Sequence, residues 1–400
     1  MKPTNQIRVL HSFSSLGMGG IEIWLMNILR LQPEELKFDF ILEVLGGEYE
    51  EEARNYGCNI HHAPPIRQLG KKLHFLEEVL GADRYEVFHV HGEEFMGDAL
   101  KIAAKAGVPV RIAHSHNTVL ARGKKSLEMK IRSLRFQTLD RFFLLNYATD
   151  IVACSSEAGR FLMGRHWDND PRCKTIYCGV SLNHFRQALA GITRARFRTA
   201  CGIPGDAIVI GHAGSFGPSN VKNHHFLVKI FEELTKRDER YYLYMAGDGP
   251  LRNSIEQTVC ARSLKDRVLM PGLSADVPSL MVHGFDVHLL PSLHEGLPIV
   301  GLEATAAGLY TVCSNTITKD FTDYFASRVK TVALDAEPSY WADRVEEAVA
   351  KRIPANEGIA LIEQSPFHIK SSTQSLIDTY RNSYQTNTVF KSKSQINAFR

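Results

Sequence analysis

Short continuous apolar runs alternate along the chain with stretches whose apolar residues recur at helical spacing, and glycine, proline or small polar residues mark nearly every junction. Ile7 to Phe13 is the first such run. It feeds the loop Ser14 to Gly20, after which Ile21, Trp24, Leu25, Ile28 and Leu29 fall on one helix face. Further strands are expected at Phe38 to Leu45, Glu86 to His91, Val110 to His116, Asp150 to Ser156 and Lys174 to Val180. The same grammar restarts at Ala207 to Ala213, whose glycine-bearing loop leads to a helix carrying Phe226, Leu227, Ile230, Phe231 and Leu234. Strands at Tyr241 to Ala246, Arg267 to Leu269, Asp286 to Leu290, Tyr310 to Cys313 and, at an edge, Val329 to Leu334 follow, then helices at Trp341 to Lys351 and Ile369 to Tyr384. Strand and helix in alternation predict an α/β protein with parallel sheets.

The densest unit is Asp286 to Asn315, which spells strand, loop, helix and strand. Pro298 suits the first helical position, where its missing N–H costs nothing, and Gly308 suits a left-handed position just past the helix end. Glu295 on the loop and Glu303 on the helix have seven residues between them and face one crevice. Ligands of open parallel sheets bind at the carboxyl ends of strands, and the free N–H groups of a helix start attract an anion such as a diphosphate. Lys222, just before another helix, is a cation that could meet the same phosphate.

With 400 residues the chain is too long for one ordinary core, and two domains are expected. A net charge of +3 is too mild to imply a nucleic-acid partner. Seven scattered cysteines, none in a C-x-x-C, favour neither a disulfide framework nor a zinc knuckle and fit a reducing cytoplasm. No signal-peptide order or membrane-spanning run is evident, so any membrane contact is expected to be peripheral, on the inner face.

Local features add detail. His89 and His91, and His114 and His116, lie two apart at strand ends, so each pair shares one side of its strand. No carboxylate or cysteine accompanies them at ligand spacing, so they read as hydrogen-bonding groups for a polar substrate, and no metal is expected. Arg122 to Phe136 interleaves Lys124, Lys125, Lys130, Arg132 and Arg135 with Leu127, Ile131 and Leu134, a basic amphipathic pattern suited to an anionic membrane surface or an anionic acceptor, or simply a helix with a solvated face. Asp168-Asn169-Asp170 runs into Pro171 and reads as a surface turn.

The ordered set GMGG (17–20), HVHG (89–92), RIAHSHN (111–117), CGVSLNHF (178–185), VKNHHFL (221–227), AGDGPLR (246–252), PGLSADV (271–277) and EGLPIVGLEATAAG (295–308) resembles GT-B glycosyltransferases of the retaining family 4 type, in particular bacterial exopolysaccharide and capsule enzymes. The resemblance implies two facing Rossmann-like domains, an acceptor-binding one at residues 1–184 and a nucleotide-sugar-binding one at 185–368. A helix at 369–385 would cross back to the first, and a mobile tail at 386–400 would follow. It implies transfer of a sugar from a nucleoside diphosphate, UDP foremost, to a hydroxyl of a glycan or lipid-linked acceptor, with retained configuration and no obligatory cofactor.

On the matching positions, Glu303 would hold the ribose and Glu295 the donor sugar. The amides of Gly296 and Leu297 would meet the diphosphate and Lys222 would neutralise it, with Ser215 and Leu273 completing the donor side. His116, or one register earlier His114, would stand near the reacting centre, and Gly19, Gly20 and His91 would line the acceptor side. One departure stands out: where such enzymes carry a phosphate-binding arginine, this chain reads Gly214-Ser215-Phe216. That departure motivates two alternatives, a weakly catalytic relative serving as a glycan-binding or complex-forming subunit and an epimerase acting on a free nucleotide sugar.

Overall fold

A computed structural model of the chain describes residues 6–92, 95–118, 134–274 and 276–397. Two units emerge, one from residues 1–179 with 369–400, the other from 180–368. The chain enters the second unit at Val180, earlier than the expected 185, because the Val180 N–H donates to the Phe367 carbonyl at 2.8 Å and Val180 bridges His368. That contact ties the start of the second unit to its end.

The first unit holds strands β1 (Ile7–Phe13), β2 (Leu36–Leu42), β3 (Ile60–His62), β4 (Val87–His91), β5 (Val110–Ser115), β6 (Asp150–Ala153) and β7 (Cys173–Thr175). They form one parallel sheet in the order β3-β2-β1-β4-β5-β6-β7. The order reverses direction between β1 and β4, which opens a crevice at their carboxyl ends. β3 escapes sequence reading because three residues ahead of Pro64 and Pro65 carry no usable period. β2 stops at Leu42, short of the expected Leu45, since the amides of Glu43 and Val44 both donate to the Ser14 carbonyl at 2.9 Å and pull the chain into a loop.

The helix Gly20–Leu31 buries Trp24, Leu25, Ile28 and Leu29, the face the spacing predicts. Its Trp24 indole donates to Ser372 Oγ at 2.8 Å, and that hydroxyl donates to the Tyr177 carbonyl at 2.6 Å. Ser372 belongs to the helix Ile369–Asn397, which returns to this unit and buries Ile369, Leu376, Ile377 and Tyr380. The helix outruns its expected end at 385. Residues 370–397 contain neither glycine nor proline, so nothing in the backbone stops it once packing has nucleated the first turns. Of the basic run 122–136, residues 122–133 lie outside the described residues; Arg135 pairs with Asp98 and Phe136 is buried.

The second unit repeats the plan. Strands β8 (Ile208–Ala213), β9 (Tyr241–Ala246), β10 (Val268–Gly272), β11 (Val287–Leu290), β12 (Thr311–Ser314) and β13 (Val329–Val332) pair in parallel in the order β10-β9-β8-β11-β12-β13. The direction reverses between β8 and β11. Its core gathers Ile210, Leu227, Phe231, Leu243, Leu289 and the fully buried Trp341, whose indole donates to the Ala333 carbonyl at 3.1 Å. Truncating such a tryptophan costs ~3–5 kcal/mol. Among the described residues no helix is long and apolar enough to cross a membrane.

Candidate active site

In the second unit the loops after β8 and β11 flank the point where the strand order reverses, so their residues converge on one crevice. Lys222 from the first and Glu295 from the second meet there, Nζ to Oε1 at 2.5 Å, with side chains 20% and 13% exposed. Ser292 Oγ donates to the same Glu295 oxygen at 2.8 Å, and the Leu293 amide donates to the Val221 carbonyl at 2.7 Å, locking the two loops together. A charge-assisted bond in a half-dry crevice holds both side chains in fixed rotamers.

Close backbone packing shapes the floor. Gly247 has φ +149°, and a Cβ there would lie 2.0 Å from the Gly214 carbonyl oxygen, so the turn after β9 can reach the turn after β8 only as glycine. A Cβ on Gly214 would in turn press on the Lys222 stem at 3.1–3.3 Å. Gly214 thus clears the path along which Lys222 reaches Glu295. Next to it, Ser215 is exposed and Phe216 is buried, so the cation expected at this place is missing from the loop.

The helix carrying Glu303 runs Ile299–Ala306, with Pro298 as its cap rather than its first residue. Its Ile299 amide is taken by the Leu297 carbonyl, while the amides of Gly296 and Leu297 have no acceptor among the described residues. Consecutive N–H groups without an acceptor are suited to receive an anion. Glu303 is half-buried. Burial pushes its carboxyl up to about 7, against the opposing pull of the Lys222 charge. Gly308 takes the left-handed conformation at φ +76° that ends this helix.

Histidines sit beneath the crevice. His212 Nδ1 meets the Leu289 carbonyl at 2.9 Å, and burial lowers its pKa to about 4, while His288 falls to about 3 and His224 to about 2 for the same reason. All three are neutral at pH 7, whereas Lys222 pairs with Glu295 and its charge acts on Glu303.

In the first unit five imidazoles stack at the carboxyl ends of β1, β4 and β5. His11 Nδ1 lies 2.9 Å from His91 Nε2, His91 Nδ1 lies 2.9 Å from His116 Nε2, and His116 Nδ1 lies 3.8 Å from Cys178 Sγ. A second chain runs from Tyr380 Oη to His89 Nδ1 at 2.7 Å and from His89 Nε2 to His114 Nδ1 at 3.0 Å. Burial drives His11 and His116 to about 3 and the other three well below their usual range, so the ladder is uncharged. His116 alone of the five is part-exposed. Gly19 caps the helix that Gly20 begins, and a Cβ on Gly19 would collide with the Glu22 carboxylate at 2.3 Å.

The structure therefore brings Lys222, Glu295, Glu303, Gly296 and Leu297 to the carboxyl end of one sheet, with Ser215 on the loop after β8 and Leu273 exposed just past β10. His91, His114, His116, Gly19 and Gly20 belong to the first unit. Sequence reasoning missed Ser292, His11, Cys178 and Tyr380. Only Ser292 carried a local signal, as a hydroxyl closing an apolar strand three residues before Glu295. Asp168 and Asp170 pair with Arg160 and Arg172 in the turn their sequence suggested.

Two doubly wound parallel-sheet units of like strand order are the architecture of a GT-B glycosyltransferase. Anabaena HepE, solved in complex with UDP, shares that fold with a TM-score of 0.74 at 15% identity, covering 94% of this chain and 100% of that one. Residues 18–184 match the model of Glycosyltransferase Family 4, and residues 207–351 that of the Glycosyl transferases group 1. EpsF of Bacillus subtilis (strain 168), named as a glycosyltransferase, is 34% identical over 384 residues, 94% of this chain and 97% of that protein. The capsular polysaccharide biosynthesis glycosyltransferase CapH of Staphylococcus aureus is 23% identical over 381 residues, 94% and 98% of the two chains. The chain belongs to glycosyltransferase family 4 and is a glycosyltransferase.

Proposed function

We propose that this enzyme transfers a sugar from a UDP-sugar to a hydroxyl of a glycan or lipid-linked glycan in surface polysaccharide synthesis, retaining the anomeric configuration. The observation that carries the donor reading is the Lys222–Glu295 pair lying beside the free amides of Gly296 and Leu297. The bond from sugar to β-phosphate breaks, the acceptor oxygen takes the sugar, and the diphosphate and a proton depart. Charge then accumulates on the leaving phosphate, so groups already aimed at it stabilise the transition state more than the ground state. Lys222 and the two amides are that set, Glu295 orients the sugar, and Glu303 accepts hydrogen bonds from the ribose. To His116, the part-exposed end of the histidine ladder, we assign a role on the acceptor side. HepE's UDP and CapH's named role in capsule synthesis support the choice of donor and product class.

Thermal unfolding with a panel of nucleotide sugars is the direct test. A UDP-sugar present at a hundred times its Kd stabilises the protein by about 2.7 kcal/mol, a shift of several degrees, and GDP- and ADP-sugars give less. Folded protein that no nucleotide stabilises would sink the reading. The membrane part of the proposal rests on the basic run 122–136, which is expected to hold the enzyme to anionic vesicles and to release it as salt rises. Equal partition to neutral and anionic vesicles would remove it.

A further inference from the structure

The histidine ladder consists of two rows, one laid on the other. His11, His91 and His116 join edge to edge through nitrogen contacts of 2.9 Å, and His89 and His114 do the same at 3.0 Å. His91 rests on His89 with ring centroids 4.2 Å apart, and His116 rests on His114 at 3.9 Å, their planes 20° and 30° from parallel. Alternation along β4 and β5 produces the stack, because each pair lies two residues apart on one side of its strand.

A neutral imidazole donates from one nitrogen and accepts at the other, so the direction of one contact sets the direction of its whole row. Tyr380 fixes the lower row. Its buried phenol meets His89 Nδ1 at 2.7 Å and has no other hydrogen-bond partner among the described residues, so the O–H donates there. His89 therefore carries its proton on Nε2 and donates to His114 Nδ1, which places the His114 proton on Nε2. That atom is buried without a polar partner among the described residues, and the His114 ring meets Trp24 at 5.6 Å and 85°. An N–H is attracted to a π face, whereas a lone pair is repelled.

Three features run the upper row the opposite way. Burial keeps the Cys178 thiol protonated, and it is a weak donor 3.8 Å from His116 Nδ1. At the far end His11 Nε2 is buried without a polar partner among the described residues, and its ring meets Phe38 at 4.4 Å and 74°, again a setting for an N–H. Dipoles stacked this closely also attract when antiparallel, and the lower row points from β4 to β5. His116 Nε2 thus donates to His91 Nδ1, and His91 Nε2 donates to His11 Nδ1.

We propose that His91 and His11 are positioning residues that lock His116 in its Nε2–H tautomer and so present its Nδ1 as a fixed acceptor for a substrate hydroxyl. This rests on the acceptor-side role assigned to His116. His116 is the part-exposed member of the ladder, and the thiol facing its Nδ1 is a donor weak enough for a hydroxyl to displace. A ring locked in this way favours a hydroxyl over a carbonyl or carboxylate at the same place.

Nitrogen-15 correlation spectra of the histidine rings in the full chain, assigned through ring-to-backbone couplings, report which nitrogen of each ring is protonated. His11, His89, His91, His114 and His116 should all be Nε2–H tautomers. His91→Leu removes the acceptor of the His116 N–H, so part of His116 should move to the Nδ1–H form and kcat/KM for the acceptor should fall about tenfold. His91→Asn puts an amide oxygen where Nδ1 stood. It should restore the Nε2–H form and recover most of the lost activity, which a merely structural role would not explain. Circular dichroism and the UDP-induced thermal shift, which depends on residues of the other unit, show that each variant is folded. Wild-type His116 protonated on Nδ1 overturns the proposal, as does an Nε2–H form that persists in folded His91→Leu. If the tautomer shifts in His91→Leu while turnover does not, the lock stands and the acceptor-side assignment of His116 falls.

Discussion

Lys222→Ala should lower transferase turnover by about 10²–10³-fold, the scale on which enzymes lose rate when a preorganised group facing a developing oxyanion is removed. Three features make this the largest single effect expected. No arginine accompanies the lysine on its loop, where Gly214-Ser215-Phe216 stands instead, so no second cation of that loop can take over. The buried histidines beneath the crevice are neutral and add no charge. Glu295 would also lose the ammonium 2.5 Å away, the charge that compensates its own in a half-dry crevice. Initial rates with a UDP-sugar and matched acceptor, read as kcat and KM separately, are the measurement. A loss confined to KM would mean that Lys222 binds substrate and transition state alike, and an unchanged kcat/KM would remove it from the site.

At pH 8, Glu303→Gln should melt about 2–4 °C above the parent protein, and at pH 5 the two should nearly coincide. The sign follows from proton binding. An unfolded glutamate titrates near 4.5, and burial raises the folded group to about 7, so across that interval the folded state holds the extra proton. Stability is therefore lost as pH rises from about 4.5 to 7 and stays lost above. Partial exposure screens the penalty, and about 1 kcal/mol at pH 8 is a fair magnitude. The glutamine keeps the shape and carries no charge to desolvate. The same substitution should weaken nucleotide binding about tenfold, because an amide accepts from ribose hydroxyls less strongly than a carboxylate. A variant gaining heat stability while losing donor affinity would mark Glu303 as a residue kept for function at a cost in stability. Calorimetric melting at the two pH values, with UDP titrations alongside, separates the two effects, and a pH-independent difference would contradict the buried-carboxylate account.

The two units respond unequally to sequence reading, for physical reasons. The residues proposed for the donor side could be picked out together because a single βα turn carries most of them: Glu295, Gly296, Leu297 and Glu303 sit within nine residues punctuated by Gly296 and Pro298. Lys222 could be placed near them because a strand and a glycine-bearing loop immediately precede it. The histidine ladder was half legible. Alternation shows which side of its own strand His114 takes, but not that β4 and β1 lie beside it, and only the reversal in strand order brings His11 to His91 across 80 positions of sequence. Cys178 and Tyr380 arrive from still farther away. The far end of the helix Ile369–Asn397 was missed because its apolar residues, Val389, Phe390 and Ile396, are too few to show a helical period, and amphipathic period is the signal by which helices are read.

The discontinuity of the first unit has a consequence for how the protein is made. Chains emerge from the ribosome amino end first, and domains usually fold in that order. Here the leading unit lacks the hydroxyl that Trp24 donates to and the phenol that His89 meets until Ser372 and Tyr380 have been synthesised, after the whole of the 180–368 unit. The unit spanning residues 180–368, whose two ends are joined by the Val180 and Phe367 backbone, has all its strands in hand earlier. The 180–368 unit, begun later, is thus the first of the two that can be completed, and the nascent sheet of the other must wait, unfinished, for the helix Ile369–Asn397.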